Sequence, residues 1–373
     1  MYSAIIFIKN DKEFELAKTT LLGKKLIEYT LFELKKLDLD NIFLIGGKDL
    51  ILDGIKKRDN IEEIVNDLSK VRGKTLLLSP LYPLTTKNDY LGMLNNENED
   101  GVVMLDENGL CKVFMLDNSQ LVEFDDIDFK EFKVEESSGI EVTDFSDIPT
   151  ITKELQLRIN YKLIEKGVNI VDPENTYISQ DATIDKDTII YPQTVIEGKC
   201  SIGKNNIIEG STYLNSVVIG NNNHIMSSRI VESVIHDDVS VGPNAHIRTA
   251  SEIFNNTRIG NYVEIKNSDI GANTKVAHLA YVGDAKVGEY VNIGCGAITI
   301  NYDGTKKSPT VIKDHAFIGS NANLIAPITI GEYAVVAAGS TVDADVQDGD
   351  MAISRLYQTN KKGYGYKYIN KEN

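Results

Sequence analysis

Aliphatic residues recur at every sixth position over much of the second half of the chain. A period of six fits neither an α-helix nor the alternation of a simple hairpin strand. It predicts a parallel β-solenoid that turns a corner every six residues, with each aliphatic side chain pointing inward onto its equivalent one coil away. The three runs are Ile178, Ile184, Ile190, Ile196, Ile202, Ile208 and Leu214; Ile235, Val241, Ile247, Ile253, Ile259 and Ile265; and Ile312, Ile318, Leu324, Ile330, Val336 and Val342.

Two departures from this period carry information. A few steps shorten to five residues, as from Leu214 to Ile219. Between Ile300 and Ile312 the repeat is interrupted by turn residues, which predicts a loop extruded from the solenoid. Loops on a rigid scaffold are frequent sites of binding chemistry. Glycine often follows the inward aliphatic, and we expect it either to adopt positive φ or to allow close backbone approach; these positions are Gly203, Gly220, Gly242, Gly260, Gly271, Gly288, Gly319 and Gly331.

The first 150 residues or so show a different pattern, in which short apolar runs alternate with a helical stretch. This alternation predicts an α/β layer domain. Buried parallel strands are predicted at Ser3–Ile8, Asn41–Ile45 and Lys74–Leu78, a helix at Lys24–Leu37, and one or two β-hairpins within Val102–Val122 with a turn at Glu107-Asn108-Gly109.

The segment between the two patterns is acidic and then helical. Residues Glu123–Asp147 are rich in Asp and Glu, which favours a solvated surface stretch. Pro149 and Thr150 predict the start of a helix that stops at Gly167. The predicted domains are therefore an α/β domain (1–148), a linker helix (149–168), the solenoid (169–356) and a basic C-terminal tail (357–373).

Composition narrows the functional classes. A formal charge of −16 argues against nucleic acid or an anionic membrane as a general partner. No apolar run approaches the length of a membrane span, and Met1–Asn10 has no secretory pattern. The three cysteines are too scattered for a disulfide framework or a metal knuckle. We therefore expect a cytoplasmic protein.

Several polar residues of the middle coils are candidates for chemistry. Arg248 and Lys266 are separated by three hexads, so they are expected one coil apart on one face, either as a phosphate site or as surface charges. His278 could remove a proton from an amine nucleophile, with Glu264 as the carboxylate that orients it. Spacing alone leaves the structural alternatives open for both groups.

Residues Ile178–Gln358 closely resemble the acetyltransferase half of the bifunctional N-acetylglucosamine-1-phosphate uridylyltransferase/glucosamine-1-phosphate acetyltransferase family. The matching motifs are much longer than a generic hexapeptide signature, so the resemblance is specific. They are Asn261–Lys266, Ala277–Ala285, Val291–Gly294, Asn301–Gly304 and Ala352–Arg355.

The resemblance implies a left-handed parallel β-helix that forms a homotrimer with active sites at subunit boundaries. It implies transfer of acetyl from acetyl-CoA to the amine of glucosamine 1-phosphate, with His278 as general base and without a metal. Cys295 stands beside the expected CoA channel where relatives commonly carry Ala. The resemblance assigns the sugar phosphate to Arg248, Lys266, Tyr281, Asn292, Asn301, Tyr302 and Lys307, and acetyl-CoA to Cys295, Ser320, Ala338 and Arg355.

The N-terminal domain resembles a truncated, Rossmann-type nucleotidyltransferase that has lost its site. The family's Gly-rich phosphate loop is replaced by Phe7–Leu16, which contains no glycine. Leu16 falls at or near the family's lysine, Leu81 at its metal-binding Asp and Thr152 at its second metal ligand. We therefore expect no uridylyl transfer, with a separate enzyme supplying it. Asp11, Lys12 and Lys18 are the residues that could replace the lost groups.

Three other hypotheses remain. In the first, the acceptor is another amino sugar phosphate or a sugar nucleotide. In the second, the chain is a non-catalytic partner of a true nucleotidyltransferase. In the third, the chain is fully bifunctional, which requires a divergent nucleotide site that the sequence does not reveal.

Overall fold

The structure, a computed structural model, describes residues 1–47, 49–96, 101–106, 109–122, 127–134 and 137–366. It divides into two compact units, Met1–Ile159 and Asn160–Asn373. The division falls inside the predicted linker helix, and the finer limits predicted for the linker and the tail stay predictions. None of the described helices has the length and apolar character needed to cross a membrane.

A seven-stranded sheet forms the centre of the first unit. Its order is β5-β4-β1-β6-β8-β7-β9; β4, β1, β6 and β5 run parallel, and β8 is antiparallel to both β6 and β7. A separate two-stranded ribbon pairs β2 with β3. The strands are β1 (Tyr2–Phe7), β2 (Thr20–Leu21), β3 (Lys24–Lys25), β4 (Asn41–Ile45), β5 (Lys56–Arg58), β6 (Lys74–Leu78), β7 (Gly101–Asp106), β8 (Gly109–Asp117) and β9 (Lys130–Lys133).

The helices cover the two faces of this sheet unequally. Residues of α1, α2 and α4 pack with Ile6 and Leu78 in one core, whereas α3 packs with Ile5 and Leu77 in another. The alternation of side chains along β1 thus supplies two separate cores. The helices are α1 (Asp11–Lys18), α2 (Leu26–Leu34), α3 (Ile61–Leu68), α4 (Lys87–Leu94) and α5 (Ile148–Glu165); single 3₁₀ turns occur at Asn118–Gln120, Phe145–Asp147 and, in the second unit, Pro173–Asn175.

The structure confirms the three predicted strands and corrects their surroundings. The predicted helix at Lys24–Leu37 is shorter at both ends and spans Leu26–Leu34. It begins later than predicted because Lys24–Lys25 pairs with Thr20–Leu21. Part of the acidic stretch forms an edge strand, since β9 pairs with β7, and three of its four residues are exposed.

The predicted hairpin is formed by β7 and β8. Its expected turn residues Glu107 and Asn108 lie outside the described residues, as do 123–126 and 135–136 of the acidic stretch and 367–373 of the tail.

The second unit is a parallel β-helix with three sheets, one on each side of the coil. Sheet I contains β10 (Asn169–Ile170), β13 (Ile189–Ile190), β16 (Ile207–Ile208), β19 (His224–Ile225), β22 (Ser240–Val241), β25 (Arg258–Asn261), β28 (Lys275–His278), β31 (Asn292–Ile293), β34 (Phe317–Ile318), β37 (Val335–Val336) and β39 (Met351–Ala352). Sheet II contains β11 (Tyr177–Ile178), β14 (Val195–Glu197), β17 (Tyr213–Asn215), β20 (Arg229–Val231), β23 (His246–Arg248), β26 (Glu264–Lys266), β29 (Tyr281–Gly283), β32 (Ile298–Ile300), β35 (Asn323–Ile325) and β38 (Thr341–Val342). Sheet III contains β12 (Thr183–Ile184), β15 (Ser201–Ile202), β18 (Val218–Ile219), β21 (Val234–Ile235), β24 (Glu252–Ile253), β27 (Asp269–Ile270), β30 (Ala285–Val287), β33 (Thr310–Ile312) and β36 (Ile328–Ile330).

The periodic aliphatic residues form the core of this unit, as predicted. Ile247 stands in register with Ile265, and Ile265 with Val282, and all three are almost fully buried. Stacking equivalent side chains one coil apart removes them from water without any long-range packing between distant parts of the chain. The predicted fold class, an α/β domain followed by a β-helix of hexapeptide repeats, is confirmed.

At the corners of the β-helix, asparagine adopts positive φ, whereas glycine allows close approach between the backbones of neighbouring coils. Asn205, Asn222 and Asn273 each occupy a corner at φ between 57° and 62°, a region that Asn tolerates better than most residues. The glycines after the inward aliphatics serve mainly for close approach: an added Cβ at Gly271 would lie 2.4 Å from the carbonyl oxygen of Gly288 in the next coil.

We predict that Gly271→Ala destabilises the β-helix by about 1–3 kcal/mol, the usual cost of overpacking. The three atoms nearest to the added methyl group all belong to the backbone of the next coil, so no side chain can move to relieve the clash. Urea unfolding followed by circular dichroism measures the effect. Gly365→Ala is the control, because its Cβ would meet no atom within 4 Å; equal stability of the two variants would contradict the prediction.

Candidate active site

Three cations of the β-helix lie together, and we call Arg248, Lys266 and Lys307 the cation cluster. Arg248 on β23 stands in register with Lys266 on β26, which confirms that the two are one coil apart on one face. Lys307 belongs to the loop after β32, and its ammonium lies close enough to Lys266 for each to perturb the other. The sequence spacing therefore identified a true cluster, and the loop adds the third charge.

Each of the two solenoid cations has a carboxylate partner. The guanidinium of Arg248 donates from Nε and Nη2 to Glu264 Oε1 at 2.8 and 2.7 Å. Lys266 Nζ donates to both carboxylate oxygens of Asp284 at 3.2 Å, with only 14% and 13% of the two side chains exposed. The cluster thus holds three cations and two carboxylates, so one positive charge remains for an anionic ligand.

Ionisation within the cluster follows from these contacts. Burial works to raise the pKa of Asp284, but hydrogen bonds from Asn267, Lys266 and Asn301 outweigh it and hold the pKa below its ordinary value. A side-chain hydrogen bond with Lys266, together with the like charge of Lys266, lowers the pKa of Lys307. Asp284 therefore stays ionised at neutral pH and offsets part of the repulsion between the lysines.

The predicted extruded loop is present as Asn301–Pro309, closed by an antiparallel bridge between Tyr302 and Lys307. Asn301 donates from Nδ2 to Tyr281 Oη at 3.4 Å and also to Asp284. Within the loop, Asp303 accepts from the N–H groups of Lys306 and Thr305, which lowers its pKa to about 2. The loop is thereby an ordered element whose first residue reaches into the cation cluster.

His278 lies at the end of β28, at the corner between sheets I and II. Its Nδ1 contacts Asn261 Oδ1 at 2.7 Å, and Asn261 stands in register one coil below. If the amide oxygen accepts, Nδ1 carries the proton and Nε2 keeps its lone pair. Glu264, which was expected to orient His278, lies on sheet II and contacts Arg248.

The residues expected to contact acetyl-CoA form a line along one corner of the β-helix. Cys295, Ser320 and Ala338 each lie two residues beyond an inward aliphatic of sheet I, and these aliphatics are in register. Arg355 donates from Nη1 to the carbonyl oxygen of Ala338 at 2.8 Å. His278 occupies the equivalent position in the coil before Cys295. All five are exposed, so the line forms a continuous surface edge.

Asn292 lies away from the cation cluster in this chain, whereas Tyr302 lies beside it through its bridge to Lys307. Asn292 is on sheet I, in register with Lys275 and Phe317. Tyr302 donates its hydroxyl to Gly304 within the loop and is half exposed. The sequence reasoning also missed Asp284 and Asn261, although both occur in the motifs that carried the resemblance. The sequence contains a sign of both residues, because each is polar and lies 17 or 18 positions, or one coil, from a candidate residue.

In the first unit, the positions expected to hold nucleotidyl-transfer chemistry form an apolar core. Leu16 and Leu81 are almost fully buried in one cluster with Tyr29 and Leu84. Thr152 donates its hydroxyl to the carbonyl of Ile148. Among the residues that the structure describes, no group of three or more His, Cys, Asp or Glu is placed to hold a metal ion.

The N-terminus of α1 is capped by side chains of this chain. Asn10 caps the helix by accepting from Glu13 N–H at 3.0 Å, and Glu13 in turn accepts from Lys9 N–H. Acidic side chains in the first turn take the place that an anionic phosphate would favour. Of the residues that could have replaced a lost phosphate ligand, Lys12 pairs with Asp144 and Lys18 with Glu15.

A cavity of about 440 Å³ lies where β1 and β6 end, at the point where the strand order reverses. Open α/β sheets bind ligands in this crevice. Here it is lined mainly by apolar side chains, with two lysines and one serine; the lining comprises Phe7, Lys9, Ile61, Leu77, Leu78, Ser79, Lys112 and Phe114. No carboxylate is part of this lining.

Comparison with known proteins agrees with the repeat. The family model "Bacterial transferase hexapeptide (six repeats)" matches residues 309–344. Proteins described as "Bifunctional protein GlmU" match from Shouchella clausii (50% identity, 56% of this chain, 46% of the relative), Caldicellulosiruptor saccharolyticus (53%, 57%, 46%) and Listeria innocua (44%, 65%, 52%). The chain thus spans about half the length of the curated relatives it matches.

Solved structures show weaker likeness. One is 4-diphosphocytidyl-2C-methyl-D-erythritol synthase from Anaerococcus prevotii (19% identity, TM-score 0.32, 42% of this chain, 98% of that chain). Another is LpxA from Acinetobacter baumannii (16% identity, TM-score 0.34, 49% and 69%). Over the 56% to 65% of its length that these curated relatives cover, the chain is similar to proteins described as bifunctional GlmU.

Proposed function

We propose that the chain transfers the acetyl group of acetyl-CoA to the amine of glucosamine 1-phosphate and gives N-acetylglucosamine 1-phosphate for UDP-N-acetylglucosamine synthesis. The observation that carries the proposal is the cation cluster, in which Arg248 and Lys266 stack in register beside the loop that brings Asn301 and Lys307. The similarity to proteins described as bifunctional GlmU over the matched length supports the same reaction class.

The cluster suits a sugar phosphate. A phosphate monoester carries about −1.5 to −2 charges at neutral pH, and the cluster offers one net positive charge. Glu264 and Asp284 keep the cations in place before the ligand arrives, and the pair with Glu264 uses Nε and Nη2 of Arg248, so Nη1 remains as a donor for the ligand. Tyr281 and Asn301, joined at 3.4 Å, supply neutral groups for sugar hydroxyls.

His278 is placed to act as general base. Its Nδ1 is bonded to Asn261, so Nε2 can accept a proton from the amine while the nitrogen attacks the thioester carbonyl carbon. The orienting partner is a neutral amide, so it fixes the tautomer without adding a negative charge that would stabilise the imidazolium. Acetyl-CoA supplies the activated acyl group.

The donor has a surface that leads to this base. The edge formed by Cys295, Ser320, Ala338 and Arg355 starts one coil above His278 and runs over three coils, about 15 Å at the usual strand spacing. Arg355 at its far end gives a cation for the phosphates of CoA. The small side chains along the edge allow a thin, extended ligand to lie against the backbone.

A homotrimer is the assembly that this proposal requires. Asn292 lies apart from the cation cluster in a single chain, and the hydroxyl of Tyr302 donates to Gly304 within the loop. Exposed Ile298, Ile300 and Ile325 form an apolar surface on sheet II beside the loop. A neighbouring copy packed on that surface would bring its own groups to the cluster, and the basic tail would contribute near the CoA phosphates.

Loss of uridylyl transfer completes the proposal. Nucleotidyl transfer depends on positioning and charge neutralisation of the triphosphate. Leu16 and Leu81 are core residues, α1 is capped by Asn10, and the switch-point cavity has no carboxylate in its lining. A cytoplasmic location is part of the proposal and is supported by three free cysteines, one of them exposed.

The alternatives within the same reaction class are another amino sugar phosphate or a sugar nucleotide as acceptor. Three cations close together suit a terminal phosphate, which favours a sugar phosphate over a sugar nucleotide, and the resemblance in the motifs of the β-helix favours glucosamine 1-phosphate among sugar phosphates. We favour glucosamine 1-phosphate for this reason. A non-catalytic partner has no use for a base with a fixed tautomer.

The acceptor is tested by thiol release from acetyl-CoA. We expect turnover with glucosamine 1-phosphate and a KM for glucosamine at least about tenfold higher, because hydrogen bonds to a charged phosphate are lost. Glucosamine 6-phosphate and UDP-glucosamine are the comparison acceptors. If glucosamine without phosphate reacts as well as glucosamine 1-phosphate, the role of the cation cluster is wrong; if no acceptor reacts, the non-catalytic alternative stands.

Replacement of the base and of its partner should give two different results. His278→Ala should lower kcat by ~10²–10⁴ with little effect on acceptor KM. Asn261→Ala should lower kcat less, because the imidazole then samples both tautomers, and the ¹⁵N shifts of His278 should change from an Nδ1–H tautomer to a mixture. Full kcat in His278→Ala would exclude this base; unchanged ¹⁵N shifts in Asn261→Ala would exclude the orienting amide.

Uridylyl transfer is tested separately with UTP, N-acetylglucosamine 1-phosphate and Mg²⁺. We expect no pyrophosphate release above background, because each lost group removes a part of transition-state stabilisation and 1.36 kcal/mol is a factor of ten in rate. A heat-treated sample of the same protein sets the background. Pyrophosphate release that Lys12→Ala or Lys18→Ala abolishes would show that these lysines have taken over the lost roles.

A further inference from the structure

The side chain of Asp284 connects its own corner of the β-helix to Lys266 and Asn267 in the coil before it and to Asn301 at the start of the extruded loop. Its carboxylate accepts from Lys266 Nζ at 3.2 Å, from Asn267 Nδ2 at 2.6 Å and from Asn301 Nδ2. Only 13% of the side chain is exposed, although it is ionised. A carboxylate buried to this extent needs such partners, and one of them is the first residue of the extruded loop.

The backbone of Asp284 holds the other end of the same loop. Its N–H donates to the carbonyl of Lys266 at 3.0 Å, and its carbonyl accepts from Thr310 N–H at 3.1 Å. Thr310 is the first residue of β33, directly after the loop. Asp284 itself turns the corner at φ 50°. Both ends of Asn301–Pro309 are therefore fixed by one residue, through its side chain at one end and its backbone at the other.

We propose that Asp284 is a positioning residue that links the loop Asn301–Pro309 to Lys266, so that the loop and the phosphate-binding cation are ordered as one unit. The part of this inference that concerns the acceptor rests on the proposed function. Asp284 itself touches neither the amine nor the acyl group; it acts through Lys266 and Asn301.

The charges around Asp284 indicate how its loss would affect the loop. Lys266 and Lys307 are neighbouring cations, and Lys307 lies on the loop. Asp284 offsets their repulsion, so its removal leaves the two ammonium groups facing each other and favours an open loop. Asp284→Asn keeps an oxygen that can accept from Asn301 but loses the charge. Asp284→Ala loses both, so the two variants separate the hydrogen bond from the counter-charge.

Hydrogen exchange of the full-length protein tests the link without any activity. In Asp284→Ala we expect the amides of the peptide 301–310 to exchange about tenfold faster or more, with a smaller effect in Asp284→Asn. The control is Asp269→Ala; Asp269 is on β27 and lines, together with Asp284 and Lys307, a groove beside the loop. Exchange elsewhere in the β-helix should not change. Equal exchange of the loop peptide in Asp284→Ala and the wild type would overturn the proposal.

Kinetics then test the positioning role. Asp284→Ala should raise the KM for glucosamine 1-phosphate about tenfold or more and leave the KM for acetyl-CoA unchanged, with partial rescue in Asp284→Asn. A kinetic effect confined to kcat, with the acceptor KM unaltered, would contradict the role at the phosphate site. If the wild type acetylates no acceptor, the proposed function fails, whereas the loop anchor is still decided by hydrogen exchange.

Discussion

The vertical stacking of one coil on the next is the constraint on which the second unit depends. Backbone hydrogen bonds between coils set the spacing at about 4.8 Å, and the buried aliphatics of each side fix which residue faces which. Every candidate functional contact, such as Arg248 over Lys266, is a consequence of this register. The chemistry is therefore carried by outward residues whose position is decided by their inward neighbours Ile247 and Ile265.

Much of this arrangement could be predicted from the sequence, because a period of six is a strong signal. The stacking of Arg248 on Lys266 followed from counting three full sides. The partner of His278 did not, because the step from Ile265 to Ile270 has five residues and shifts the register. A strict count of 18 leads to Gly260, whereas the structure places Asn261 below the imidazole at a separation of 17. Carboxylate pairing was missed for a related reason, since a charged side chain reaches diagonally as well as vertically.

In the first unit, packing residues fill the positions at which the resemblance places nucleotidyl-transfer groups. Leu16 and Leu81 are buried there in an apolar core. Burial of such leucines stabilises a domain by about 1.5–3 kcal/mol each relative to exposure. The sequence revealed which groups were absent, but the helix α1 that fills the loop position became evident only from the cap at Asn10 and its hydrogen bond to Glu13.

The three-sided coil also determines which changes of chain length the protein can tolerate during evolution. Deleting one six-residue side from the coil between β23 and β26 would turn every later residue by a third of a revolution, and Lys266 would leave the face of Arg248. Gain or loss of a whole coil preserves the register, but it also adds or removes the site residues that this coil carries. At a corner, however, added residues bulge outward, as Asn301–Pro309 does while β30 and β33 still pair in register. New recognition elements of this architecture are therefore expected to arise as corner insertions.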